Sequence, residues 1–91
     1  MNTAKYVKSN DVLLTGQNGE GVFLHMGTEK YFTLNKVGML MYNSLIINEP
    51  DEKIIEAITD KFDVEPINVR KDFDELVNSL LDANIIEETT S

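Results

Sequence analysis

His25 is the only histidine in this chain of 91 residues, and it is the first side chain to consider for acid–base or metal chemistry. A catalytic histidine needs a nucleophile and an orienting partner, and an ordinary metal site needs several ligands of this kind. No serine with a partnered base is recognisable, and the chain has no cysteine. We therefore predict that His25 is structural or exposed, and that the chain is not an enzyme: we expect no catalytic residue, no metal site and no cofactor.

Three carboxylates, Asp72, Asp74 and Glu75, are the second group that could do chemistry. They fall in a segment with helical periodicity, where only residues three or four positions apart are neighbours. Glu75 therefore lies beside Asp72, whereas Asp74 points elsewhere. A solvated acidic face is the favoured interpretation. Met39 and Met41 also fall in a helical segment, where ordinary packing explains them better than a soft-metal site.

The charge of the chain limits its partners. Sixteen acidic and eight basic residues give a formal net charge of −8, which repels the phosphates that supply most non-specific affinity for nucleic acids. The acidic surface serves either solubility or the attraction of a cationic partner. No apolar run approaches the roughly 20 residues that span a bilayer, and the start does not resemble a signal peptide. We predict a soluble cytoplasmic protein without nucleic-acid or membrane partners.

Three short strands are predicted in the first part of the chain. Residues 11–15 and 21–26 are β-type runs, and a third strand at Lys30–Leu34 follows a hairpin in which Gly27 is expected to take a positive φ. The three strands are predicted to form an antiparallel sheet. Side-chain alternation places Phe32 on one face and Tyr31 on the other, so that both faces are partly apolar.

Three helices are predicted to follow, because apolar residues recur there at spacings of three and four. The first covers about residues 35–47 with Asn35 as its N-cap, and the second begins at Pro50, with Glu49 as its cap, and ends near residue 62. The third continues to residues 83–84, and residues 87–91 are predicted to be a frayed polar tail. The length permits one small domain, so we expect a single α+β domain with a core at about 11–86.

A more specific pattern combines Gly21-x-x-Leu24 with Lys30-Tyr-Phe-x-Leu-Asn-x-x-Gly38. Together with the apolar residues of the second helix, Phe62-Asp-Val64 and the segment 72–86, it resembles the pyrroloquinoline quinone biosynthesis protein D (PqqD) family over nearly the whole chain. Members of that family, and the similar stand-alone proteins of lasso-peptide clusters, recognise precursor peptides made by ribosomes. They have a winged helix-turn-helix-like fold and no catalytic residues.

The resemblance implies a site and a partner. The leader segment of a precursor peptide would add as an antiparallel strand beside the third predicted strand, in a groove against the third helix. It would then be presented to a modifying enzyme or a leader peptidase. The residues expected to bind the leader are Lys30, Tyr31, Phe32, Thr33 and Leu34 on the strand, and Val69, Asp72, Phe73 and Leu76 on the helix.

Two questions about this site stay open in the sequence. Phe73 and Leu76 are equally well explained as core residues, since a helical apolar stripe must also pack against other helices. Asp72 could contact a lysine or arginine of the leader.

The alternative function is a winged helix-turn-helix DNA-binding regulator, whose third helix would enter the major groove. Arg70 and Lys71 are the only bases between residues 66 and 83, against four acids, which disfavours this alternative.

Overall fold

The computed structural model describes residues 5–89. Within them the chain forms five strands and three helices. In chain order these are β1 (Lys5–Lys8), β2 (Val12–Gln17), β3 (Glu20–His25), β4 (Lys30–Leu34), α1 (Lys36–Ile46), α2 (Asp51–Phe62), α3 (Pro66–Asp82) and β5 (Ile86–Thr89). The predicted α+β fold, with a three-stranded antiparallel sheet followed by three helices, is confirmed.

The strands β2, β3 and β4 form that sheet in chain order. β4 has the predicted bounds, and the other two strands are displaced by one or two residues. The hairpin before β4 corrects one expectation, because Glu29 and not Gly27 takes the positive φ, of 61°. The Glu29 amide donates to the His25 carbonyl at 2.7 Å, and the Thr28 amide donates to His25 Nδ1 at 3.2 Å. The His25 side chain is buried and holds this turn, which is a structural role.

A second sheet of two antiparallel strands, β1 and β5, was not predicted. Its register pairs Tyr6 with Glu88. The predicted frayed tail is therefore a strand as far as Thr89. The physical reason is that Ile85 and Ile86 are buried, at 1% and 2% exposure, and fix the start of a strand whose later residues pair through the backbone.

The ends of the fold consequently differ from the predicted core of 11–86, since both strands of the second sheet reach beyond it. Residues 1–4, and the last two residues of the predicted frayed tail, 90–91, lie outside the described residues.

Of the three helices within residues 5–89, only α1 begins with a side-chain cap. Asn35 is the N-cap of α1 as predicted, and its Oδ1 accepts the Gly38 amide at 2.9 Å. For α2 the N-cap is Pro50 and not Glu49, and it makes no side-chain capping bond. Ile47 is the C-cap of α1 and is 68% exposed, so the helix ends one residue before its predicted end.

The core lies between the three-stranded sheet and the helices. Phe23 is fully buried at its centre, with edge-to-face ring contacts to Tyr42 at 4.9 Å and to Phe32 at 6.4 Å between centroids. Gly21 permits the closest approach of the sheet to α1, because a Cβ at this position would overlap the Met39 sulfur. Strand β3 therefore packs directly on α1, and β4 pairs with β3 at the edge of the sheet.

Candidate functional site

The three-stranded sheet has two edge strands, β2 and β4. The edge of β2 is partly occupied where the strand begins: the Val12 amide donates to the Ser9 carbonyl at 3.1 Å, and the Lys8 ammonium donates to the Val12 carbonyl. A lysine at an edge is a common device against strand addition. Among residues 5–89, no strand pairs with the outer edge of β4. This edge is therefore the more accessible one for an added strand.

Two pockets lie along β4 on the side of α3. The wide pocket has a volume of about 810 Å³ and is lined by Thr33 and Leu34, while the narrow pocket, of about 190 Å³, is lined by Lys30, Tyr31 and Phe32. Together they follow the whole strand, and we call them the β4–α3 groove. The wide pocket lies in the usual size range of ligand sites, of roughly 300–1,000 Å³.

The groove contains eight of the nine residues that the sequence predicted for the site. Their positions on the strand alternate, since Tyr31 is 70% exposed on the outer face while Leu34 is buried on the inner one. The eight are Lys30, Tyr31 and Phe32 in the narrow pocket, and Thr33, Leu34, Val69, Asp72 and Leu76 in the wide one.

Phe73 is the ninth predicted residue, and the structure places it apart from the groove. Its side chain is 2% exposed and lines neither pocket of the groove. It lies instead at a separate cavity on another side of α3, together with Tyr6 and Leu45. Leu76 is half-buried and lines the wide pocket. Of the two residues whose roles the sequence left open, Phe73 therefore lies in the core and Leu76 lies in the groove.

Several residues of the groove were missed from the sequence. On α3 these are Asn68, Glu75 and Ser79, which form a row with Asp72 along one helical face. Residues 68, 72, 75 and 79 are spaced by four, three and four. This polar row could have been recognised in the sequence, because it runs at helical spacing beside the apolar stripe of α3. The contributions of α1, α2 and the loop before α3 depend on tertiary packing, and these residues are Val37, Gly38, Met41, Ile58, Phe62, Asp63, Val64 and Glu65.

The surface of α3 is poorly suited to the major groove of DNA. Asp72, Asp74 and Glu75 are exposed on it. Of its two bases, Arg70 forms an ion pair with Asp51 at 3.5 Å. In the described part of the chain, no group of three histidine or carboxylate side chains could hold a metal ion. No helix within residues 5–89 is long and apolar enough to cross a membrane.

The match to a known family covers most of the elements that build this groove. The family model described as coenzyme PQQ synthesis protein D (PqqD) matches residues 20–86. This chain belongs to the PqqD family. The matched segment begins at β3 and ends at the first residue of β5, so it includes β4 and α3. Among curated proteins no match is found.

Two solved structures resemble this PqqD-family chain. One is TbiB1 in complex with the TbiA(beta) leader peptide, with 27% sequence identity, a TM-score of 0.77, and coverage of 89% of this chain and 94% of that one. The other is a lasso peptide synthetase B1 complexed with the leader peptide, with a TM-score of 0.83 and coverage of 91% and 98%. Because its identity is 18%, it supports the fold alone.

Proposed function

We propose that this chain binds the leader segment of a ribosomally made precursor peptide in the β4–α3 groove. The observation that carries the proposal is the outer edge of β4, with which no strand of residues 5–89 pairs and which lies beside a groove along α3 in a PqqD-family fold. The likeness to TbiB1, whose structure contains a leader peptide, supports the same function.

In the proposed complex the leader adds to β4 as an antiparallel strand. The main-chain amides and carbonyls of Lys30–Leu34 hydrogen-bond to the leader, and this contribution tolerates many sequences. Side chains of the leader enter the wide pocket, where apolar atoms of Leu34, Val69 and Leu76 are available. The edge then supplies affinity and the pocket supplies specificity.

The chain acts by binding and presenting, not by catalysis. A leader held in the groove is brought to a modifying enzyme or leader peptidase, and the linked peptide then meets that enzyme at a raised local concentration. His25 takes no part in chemistry in this proposal, since its Nδ1 atom accepts a hydrogen bond from the amide of Thr28.

The function is tested by fluorescence-anisotropy titration with the labelled leader of the precursor encoded beside this chain's gene. We expect saturable binding at micromolar concentration or tighter, which is about −8 kcal/mol or better. Labelled duplex DNA serves as the competing ligand, and we expect it to give no response. Saturable DNA binding without leader binding would refute the proposal and favour a DNA-binding regulator.

The binding mode is tested separately with leader peptides N-methylated at one residue at a time. Because alternate amides of a strand face the same neighbour, strand addition predicts weakening at every second residue of the bound segment. A leader bound as a helix against α3 would instead be weakened by methylation at nearly every residue beyond its first turn, because each of those amides donates a hydrogen bond within the helix. That pattern would leave leader binding in place and remove strand addition.

A further inference from the structure

The two pockets of the β4–α3 groove differ in charge. The described residues that line the wide pocket include Asp63, Glu65, Asp72 and Glu75, and none of the described lining residues is a lysine or arginine. All four carboxylates are exposed. They come from the loop before α3 and from the groove face of α3, so they stand on two different segments of the wall.

The floor of the same pocket is apolar. Met41, Ile58 and Val69 are buried core residues that also line it, with exposures of 3%, 4% and 3%. A peptide side chain that fills this pocket therefore meets an apolar floor and a negative rim. A long basic side chain suits such a place, because its methylene stem covers apolar surface while its charged end stays at the solvated rim.

The narrow pocket does not have this character. Its lining includes Lys30 and His25 as well as one carboxylate, Asp82. The charge that lines the groove is thus negative beside the end of β4, whereas positive and negative charges nearly cancel beside its start. Charges arranged in this way fix the register of a bound partner and reject partners of the wrong sign.

We propose that the peptide recognised by the β4–α3 groove carries a lysine or arginine next to an apolar anchor, in the N-terminal half of the bound segment. This inference rests on the proposed function. The direction follows from antiparallel addition: the peptide begins beside Leu34, where β4 ends and the wide pocket lies, and finishes beside Lys30. The four rim carboxylates bind the basic group, and the narrow pocket does not select for a basic side chain.

The test uses the same labelled leader with two doubly substituted proteins of equal net charge. Asp72→Asn/Glu75→Gln neutralises two rim carboxylates. Asp60→Asn/Asp74→Asn is the matched control, because these carboxylates are exposed and line neither pocket of the groove. We expect the rim variant to weaken binding about three- to tenfold at 50 mM salt and the control by less than about twofold. The difference should disappear at about 500 mM salt, where exposed charges are screened.

The position of the basic residue is tested by replacing each lysine and arginine of the leader singly with glutamine. We expect a loss of affinity for a replacement in the N-terminal half only. Exchanging the charges, with Asp72→Lys in the protein and glutamate at that leader position, should restore binding relative to either change alone.

Three results separate the inference from the proposed function. Saturable binding that is insensitive to salt, and equal in the rim and control variants, would overturn the inference and leave leader binding standing. A leader that binds but has no lysine or arginine in its N-terminal half would do the same. Absence of any saturable leader binding would overturn both.

Discussion

Replacing Leu76 with alanine is the most direct test of the wide pocket. Leu76 is half-buried, packs on the core cluster and lines the pocket. The substitution removes three carbon groups, each worth about 0.8 kcal/mol when fully buried, or about 2.4 kcal/mol in all. Since the side chain is already half covered in the unbound protein, we assign about 1 kcal/mol of this to contact with the peptide. Leader affinity should then fall about fivefold.

The neighbouring residue supplies a matched control. Val77 is also half-buried on α3, but it lines the cavity beside Tyr6 and not the β4–α3 groove. Both Leu76→Ala and Val77→Ala should lower the free energy of unfolding by about 1 kcal/mol, and the melting temperature by about 4–8 °C. Only Leu76→Ala should weaken leader binding in an anisotropy titration. Equal dissociation constants for the two folded variants would refute the assignment of Leu76 to the peptide site.

Three further predictions concern the scaffold that carries the site. Gly21→Ala should destabilise the protein by about 1–3 kcal/mol, because the new Cβ displaces the Met39 side chain. In urea unfolding, Gly21→Ala should therefore cost less stability when Met39 is also replaced by alanine, and additive effects would contradict the contact. Ending the chain after Ile86 removes most of β5 and should cost about 1–3 kcal/mol through lost backbone hydrogen bonds; an unchanged melting temperature would mean that β5 does not stabilise the fold. Burial raises the pKa of the Tyr42 hydroxyl above 10.0. The unfolded chain therefore ionises first as the pH rises, and stability is lost above pH 10; Tyr42→Phe should reduce that loss in unfolding measurements across this range, and identical profiles would contradict it.

The parts of the fold that could be predicted are those determined by nearby residues. β4 has the predicted bounds because its alternation is strict and a hairpin precedes it. The start of α1 follows from one side chain, Asn35, which accepts the Gly38 amide within the same turn. Glu75 could be placed beside Asp72 for a similar reason, since helical spacing alone puts both on one face, although only Asp72 was assigned to the site.

The parts that could not be predicted depend on contacts between distant residues. β1 and β5 are polar for most of their length, and they are strands because each pairs with the other across the whole chain. Phe73 and Leu76 belong to the same apolar stripe, so their separation into core and groove depends on where the neighbouring elements pack. Tyr6 and Leu45 share the cavity of Phe73, and neither position is near it in sequence.

The motif that carried the resemblance acts mainly by positioning the groove. Leu34 is buried, Asn35 caps α1, and Gly38 leaves room for Leu34, since a Cβ at Gly38 would lie 3.1 Å from its Cδ2 atom. These three residues therefore fix the corner between β4 and α1, and all three also line the wide pocket. The rim of the wide pocket, in contrast, is built by Asp63, Glu65, Asp72 and Glu75, which lie outside the part of the pattern at residues 30–38. In the proposed complex the leader bonds to main-chain groups of β4, so the same corner would serve many peptides, and side chains on α3 and the loop before it would select among them.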